Sequence, residues 1–147
     1  MEGNDWKELR KTYGEVMRKR ATGELPEMAQ VKQFMKLFRE SYQSGMNVLD
    51  VGCGAGHFFT ALQKLDPNIV YHGVDIESYY INIARDVWKG RSTASFSVGS
   101  TSAFRKLDAE SFDVFLVTWY FHSSMIIRMP CENTCALHDA MVFSGSC

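Results

Sequence analysis

The chain has 147 residues and a formal net charge of −1, which is room for one domain with a real core and leaves no overall pull toward nucleic acid or a membrane surface. Apolar residues make up 46% and charged residues 22%, the balance of a globular domain and not of a disordered one. The longest apolar run, residues 114–121, is far short of the roughly 20 residues of a membrane-spanning helix, and the charged N-terminus has no signal-peptide core. A cytoplasmic protein is expected, with Cys53, Cys131, Cys135 and Cys147 as free thiols.

Residues 4–20 carry Trp6, Leu9, Tyr13 and Val16 or Met17 at spacings of three and four, the mark of a one-faced helix. Asn4 or Asp5 can cap it, with Glu8 completing a capping box from Asp5. Arg18, Lys19 and Arg20 suit its C-terminal dipole. They read either as a solvated helix end or as a lid or acidic-substrate contact. A second helix is expected from Pro26 to about Tyr42, with Met28, Val31, Met35 and Phe38 on one face and Gly45 closing it. Together, residues 1–45 read as a helical extension packed on the domain.

From Gly45 onward strands alternate with helices, which predicts βαβ units and a mainly parallel sheet. Strands are expected over residues 47–51, 70–74, 95–98 and 112–118. Helices are expected over residues 58–64 and 79–88. The fourth strand is apolar throughout, as a central strand covered on both faces would be. After His122 the pattern fades, and residues 123–147 are expected to be irregular, with at most a short helix over 132–140 and a short strand over 141–143.

The chemistry concentrates at the ends of these strands. In open α/β sheets ligands bind beyond the carboxyl ends of the strands. Asp50–Gly56 (DVGCGAG), Asp75, Ser100 with Thr101, and Thr118–His122 all fall there. Gly52, Gly54 and Gly56 allow a sharp turn and close approach of a ligand. The helix behind them offers free N–H groups and a positive dipole end. Asp75 lies 19 residues beyond Gly56. A carboxylate there can accept hydrogen bonds from both hydroxyls of a ribose, and its plainer reading is a helix cap.

A dinucleotide enzyme, such as a nicotinamide-dependent oxidoreductase, is the nearest rival. Its fingerprint is G-x-G-x-x-G, and here the last position is His57. Asp50 would also oppose a pyrophosphate, whereas it suits the cationic amino end of S-adenosylmethionine.

The segment Met46–Phe58 (MNVLDVGCGAGHF) resembles motif I of the class I, Rossmann-like S-adenosylmethionine-dependent methyltransferases. The resemblance runs in order from Met46 to His122. It implies an α/β three-layer sandwich, a bound S-adenosyl-L-methionine and a methyl acceptor that is a small molecule. It further implies that Asp50, Gly52, Cys53, Gly54, Gly56, Asp75, Ile76, Ser100, Thr101 and Thr118 bind the cofactor, with Asp50 and Thr118 near its methionine end, Asp75 on the ribose, Ile76 flanking the adenine and Ser100 at the adenine amino group. Ser100 stands where the family often has an acid. The segment FDVFLVTWYFH is similar to the strand-four motif of small-molecule methyltransferases, which points Tyr120 and His122 toward the acceptor as candidate catalytic residues. His122 reads equally as a packed structural histidine.

Other signatures carry less. The Asn/Asp-Pro-Pro-Tyr/Phe motif of amino-methylating enzymes is absent after strand four. Pro130-Cys131 lies too far along for a cytosine-5 methyltransferase. Cys131, Cys135 and His138 lack a fourth ligand for a closed zinc site, and no metal is expected. The family fold has seven strands, and four are accounted for by Thr118. The sequence reading is therefore a sheet incomplete at its C-terminal side, with a strand-four edge open to self-association and, as the alternative function, an inactive methyltransferase-like binding module.

Overall fold

The computed structural model describes residues 3–99, 112–119 and 123–128. The elements run α1 (Gly3–Thr22), α2 (Ala29–Ser41), β1 (Asn47–Val51), α3 (His57–Leu65), β2 (Val70–Asp75), α4 (Ser78–Val87), β3 (Ala94–Val98), β4 (Val114–Trp119) and β5 (Ser123–Arg128). The sheet order is β3-β2-β1-β4-β5. β1 pairs parallel with both β2 and β4, and β2 pairs parallel with β3. The order reverses at β1, so the crevice of this α/β sheet opens beyond the carboxyl end of β1.

α2 begins at Ala29, with Met28 as an extended N-cap (ψ 152°), and not at Pro26. The residue before a helix must stay extended to free its carbonyl, and Met28 does so: its oxygen accepts from the Lys32 N–H. α1 begins at Gly3, which puts Asp5 inside the helix rather than at its cap.

The larger correction is β5. Residues 123–128 are not irregular: they form a strand antiparallel to β4, with Val114 opposite Arg128 and Trp119 opposite Ser123. An exposed row of β4 backbone donors and acceptors is a template for any adjacent chain, and Met125-Ile126-Ile127 has the β-branched character to take it. The β4 edge is therefore occupied by β5, which becomes the outer strand on that side. Residues 129–147, including Cys131, Cys135, His138 and Cys147, lie outside the described residues.

The core lies between the sheet and α2, α3 and α4. Val31, Phe34 and Phe38 of α2, Phe58, Phe59 and Leu62 of α3, and Ile81 and Ala84 of α4 are buried with Val48, Tyr71, Phe96 and Leu116 of the strands. α1 packs across α3 and α4. Asp66, at the end of α3, accepts from Tyr42 Oη and from Ser44 Oγ at 3.0 Å, which ties the α2–β1 connection to the far end of α3. No described helix is long and apolar enough to cross a membrane.

Gly73 shows how tightly the layers meet. A Cβ there would sit 2.7 Å from Cys53 Sγ and 2.8 Å from Phe96 Cδ1. Overpacking of a filled core costs about 1–3 kcal/mol. Gly73→Ala is expected to lose stability by that amount, read as a lowered urea midpoint with an unchanged slope.

Candidate functional site

The turn between β1 and α3 is built from backbone strain that only glycine tolerates cheaply. Gly52, Gly54 and Gly56 have φ of 79°, 53° and 77°, the left-handed region in which a side chain collides with its own backbone. The turn is anchored to β2 by the Gly52 and Cys53 N–H groups, which donate to the Val74 carbonyl at 2.7 and 3.1 Å. The Gly56 N–H donates to the Cys53 carbonyl at 2.9 Å, which closes it. Gly56 is then the N-cap of α3, without a side-chain cap bond.

Gly56 also supplies the close packing that the dinucleotide fingerprint assigns to its last glycine. A Cβ on it would lie 2.8 Å from both Phe96 Cε1 and Trp88 Nε1. His57 can therefore occupy the next position without forcing helix and strand apart.

Asp75 ends β2 on the same side of the sheet, and only 8% of it is exposed. Its Oδ2 accepts from the Gly54 N–H and its Oδ1 from the Glu77 N–H, both at 2.9 Å. The helix-cap reading is thus partly right: the carboxylate organises the entry to α4, whose N-cap is Glu77. It joins that entry to the glycine turn as well.

Asp50 lies near the end of β1, just before the turn, and Cys53 lies within the turn. Both are fully buried. Asp50 Oδ2 accepts a hydrogen bond from Tyr71 Oη. Burial pushes the Cys53 thiol well up, and the neighbouring Asp50 and Asp75 push it the same way, so it stays protonated. Ile76 is 71% exposed and Val98 50% exposed, two apolar side chains standing free at neighbouring strand ends. The Gly99 N–H donates to the Asp75 carbonyl at 3.0 Å, which holds those ends together.

Of the remaining sequence candidates, Thr118 lies on β4 with its backbone paired to Ser124. Ser100, Thr101, Tyr120 and His122 lie outside the described residues. Among the described residues no group of acids, histidines and cysteines is placed to hold a metal.

Three contributors to this end of the sheet escaped the sequence reading. Met17 of α1 is buried with its methyl against the position a Gly54 Cβ would take. Trp88 Nε1 donates to the Ala55 carbonyl at 3.1 Å. Tyr71 reaches Asp50 from β2. The signal available for the last was Asp50 itself, since a buried acid inside an apolar strand needs a donor beside it. The basic cluster of α1 gave two readings, and Arg18 is settled locally: it pairs with Glu15, Nη2 to Oε1 at 2.8 Å.

His57 is 5% exposed, and neither ring nitrogen has a hydrogen-bond partner among the described residues. Burial, helped by Arg20, lowers its pKa from 6.5 to about 4. The unfolded chain therefore binds more protons than the folded one between those values, so stability falls as pH drops from about 6.5 toward 4, by about 3 kcal/mol in all. Urea unfolding at pH 7.5 and pH 5 is expected to show about 2 kcal/mol of this loss, and His57→Leu to remove most of it.

The model of a family described as a methyltransferase domain matches residues 42–141. No curated protein matches the chain. Among solved structures, the plantazolicin methyltransferase BamL, in complex with a triazolic desmethylPZN analog and SAH, is 19% identical over 74% of this chain and 37% of that one, with a TM-score of 0.50. WbdD, solved with the kinase inhibitor LY294002, is 23% identical over 61% of this chain and 22% of that one, also at 0.50. The PH0226 protein from Pyrococcus horikoshii OT3 is 31% identical over 59% of this chain and 40% of that one, at 0.47. The likeness to BamL and WbdD is one of fold. The chain spans between 22% and 40% of the length of these three structures.

Proposed function

The chain belongs to the methyltransferase-domain family, of the Rossmann-like class that uses S-adenosylmethionine, and on that premise we propose that it transfers a methyl group from this cofactor to a small-molecule acceptor. One observation carries the reading of the site. Three left-handed glycines form the turn at the carboxyl end of the central strand, and the middle one, Gly54, donates its N–H to Asp75 at the carboxyl end of the next.

The residues present fit the cofactor. The glycine turn is a cradle in which a Cβ on Gly54 would meet the Met17 methyl and would be strained by a φ of 53°. Asp75 spends one acceptor site of each oxygen on backbone amides. A carboxylate has about four such sites, so it retains capacity for the two ribose hydroxyls. Exposed Ile76 and Val98 offer apolar surface for the adenine, the place that the family resemblance gives to Ile76. Asp50 adds negative charge below the turn, where the amino group of the methionine end would lie. Ser100, Thr101 and Thr118 complete the proposed cofactor set.

When bound, the cofactor's sulfonium supplies an activated methyl group and departs as a neutral thioether. The task left to the chain is to hold the donor in line with the acceptor atom and to keep water out, and such positioning can supply most of the rate. His122 and Tyr120 are the proposed acceptor-side residues. A proton acceptor there helps only where the nucleophile is protonated at rest.

Calorimetric titration with S-adenosylhomocysteine tests the reading. Binding on the order of micromolar is expected. Asp75→Asn and Gly54→Val are each expected to weaken it by about tenfold or more, since hydrogen bonds to charged groups contribute roughly 1.5–3 kcal/mol. Circular dichroism confirms that each variant is folded. Binding of NADH in its place, or no binding by a folded chain, overturns the proposal.

A further inference from the structure

A phenol sits under the site with its ring and its hydroxyl serving different neighbours. Tyr71 of β2 is fully buried. Its ring stacks on Phe59 of α3 at 5.0 Å between centroids and lies 5.8 Å from Phe96 of β3. A phenylalanine would fill that space equally well. The hydroxyl has a separate use: it donates to Oδ2 of Asp50, across the strand boundary.

The sheet register explains the reach. Val48 pairs with Tyr71 and Asp50 with Gly73. Side chains of paired residues share a face, so Tyr71 stands one pleat repeat behind Asp50 on the same face. Gly73, directly beside Asp50, contributes no side chain, and the space where its Cβ would be is bounded by Cys53 Sγ and Phe96. A phenol oxygen approaching from Tyr71 meets the acid from behind and below the turn.

A carboxylate that is fully buried is costly unless hydrogen bonds hold it. Burial first, and then the neighbouring Asp50, Cys53 and Asp75, push the Tyr71 phenol well up, so it stays protonated and a donor. Its hydrogen bond is aimed at the one acid that the central strand carries under the glycine turn.

We propose that Tyr71 is a positioning residue of the cofactor site, whose hydroxyl fixes the Asp50 carboxylate beneath the glycine turn so that its charge faces the amino group of the cofactor's methionine end. The inference rests on the cofactor reading above. Tyr71 touches no ligand and acts through Asp50 alone. It therefore bears on the amino-acid end of the cofactor and leaves the nucleoside end untouched.

The test compares two ligands in calorimetry. S-adenosylhomocysteine carries the amino-acid end, and 5′-methylthioadenosine has the same adenosine and thioether without it. In Tyr71→Phe, the dissociation constant for S-adenosylhomocysteine is expected to rise about tenfold, while that for 5′-methylthioadenosine stays within about twofold. Equal losses for both ligands, or no loss for either, overturn the proposal. Asp50→Asn retains an oxygen to accept from Tyr71 and is expected to give the same split. Equal losses in that variant overturn the proposal even where Tyr71→Phe does not fold. Failure of the unsubstituted, folded chain to bind S-adenosylhomocysteine overturns the cofactor reading, and this one with it.

Discussion

The hydrogen bond from the Gly54 amide to the Asp75 carboxylate is the contact on which this end of the molecule depends. It joins two loops that leave neighbouring strands in the same direction. The glycine turn by itself is a strained excursion, with three residues in the left-handed region. Strain of this kind persists only where the surroundings over-determine it. Here the Val74 carbonyl holds the start of the turn, Asp75 its middle and Trp88 the carbonyl of Ala55. The same Asp75 carboxylate accepts from Glu77 at the mouth of α4. One side chain therefore sets the distance between the N-termini of the two helices that flank the crevice.

That arrangement explains why the parallel sheet is placed as it is. β1 lies between β2 and β4, and the crossovers through α3 and α4 carry the chain away toward β3. The crevice beyond β1 is left uncovered by either connection. α1 then packs on α3 and α4 and brings Met17 against Gly54. α1 is thus a roof for the glycine turn, while α2 packs into the core against α3. Arg10 of α1 and Glu77 form a 3.4 Å ion pair at the same end. Both partners are substantially exposed, so the pair adds little stability.

Much of this was legible in the residues. The strands β1, β2 and β3 lie within one residue of where alternation and turn signals place them, because buried parallel strands are short apolar runs bounded by Gly, Pro and Asp. The glycine turn after β1 was legible because a left-handed backbone calls for glycine. What escaped was of two kinds. β5 is defined by its partner, since a strand opening on Ser123-Ser124 has no strong pattern until the β4 edge is available to it. Tyr71, Trp88 and Met17 read as ordinary core residues, and the polar atoms of the first two carry their role. A sequence records that a tyrosine is apolar enough to be buried. Only the register shows which acid its hydroxyl meets.

Buried polarity divides this molecule unevenly. The described core is aliphatic and aromatic nearly throughout, and the buried polar or charged residues are Asp50, His57, Asp66 and Asp75. Three of these four stand within or around the β1–α3 turn. Asp66 is at the opposite end of α3, where Tyr42, Ser44 and the Asn68 amide all donate to it, an arrangement that serves folding. At the turn the balance differs. Asp50 and Asp75 accept hydrogen bonds, yet among the described residues His57 is left with two bare nitrogens, and the turn itself is strained. A fold that needed only stability would place apolar residues there, since an unpaired buried polar group costs about 1–3 kcal/mol. Strain, buried acids and an unpaired imidazole gather at one end of one strand, and that end is the one the sheet topology leaves open to a ligand.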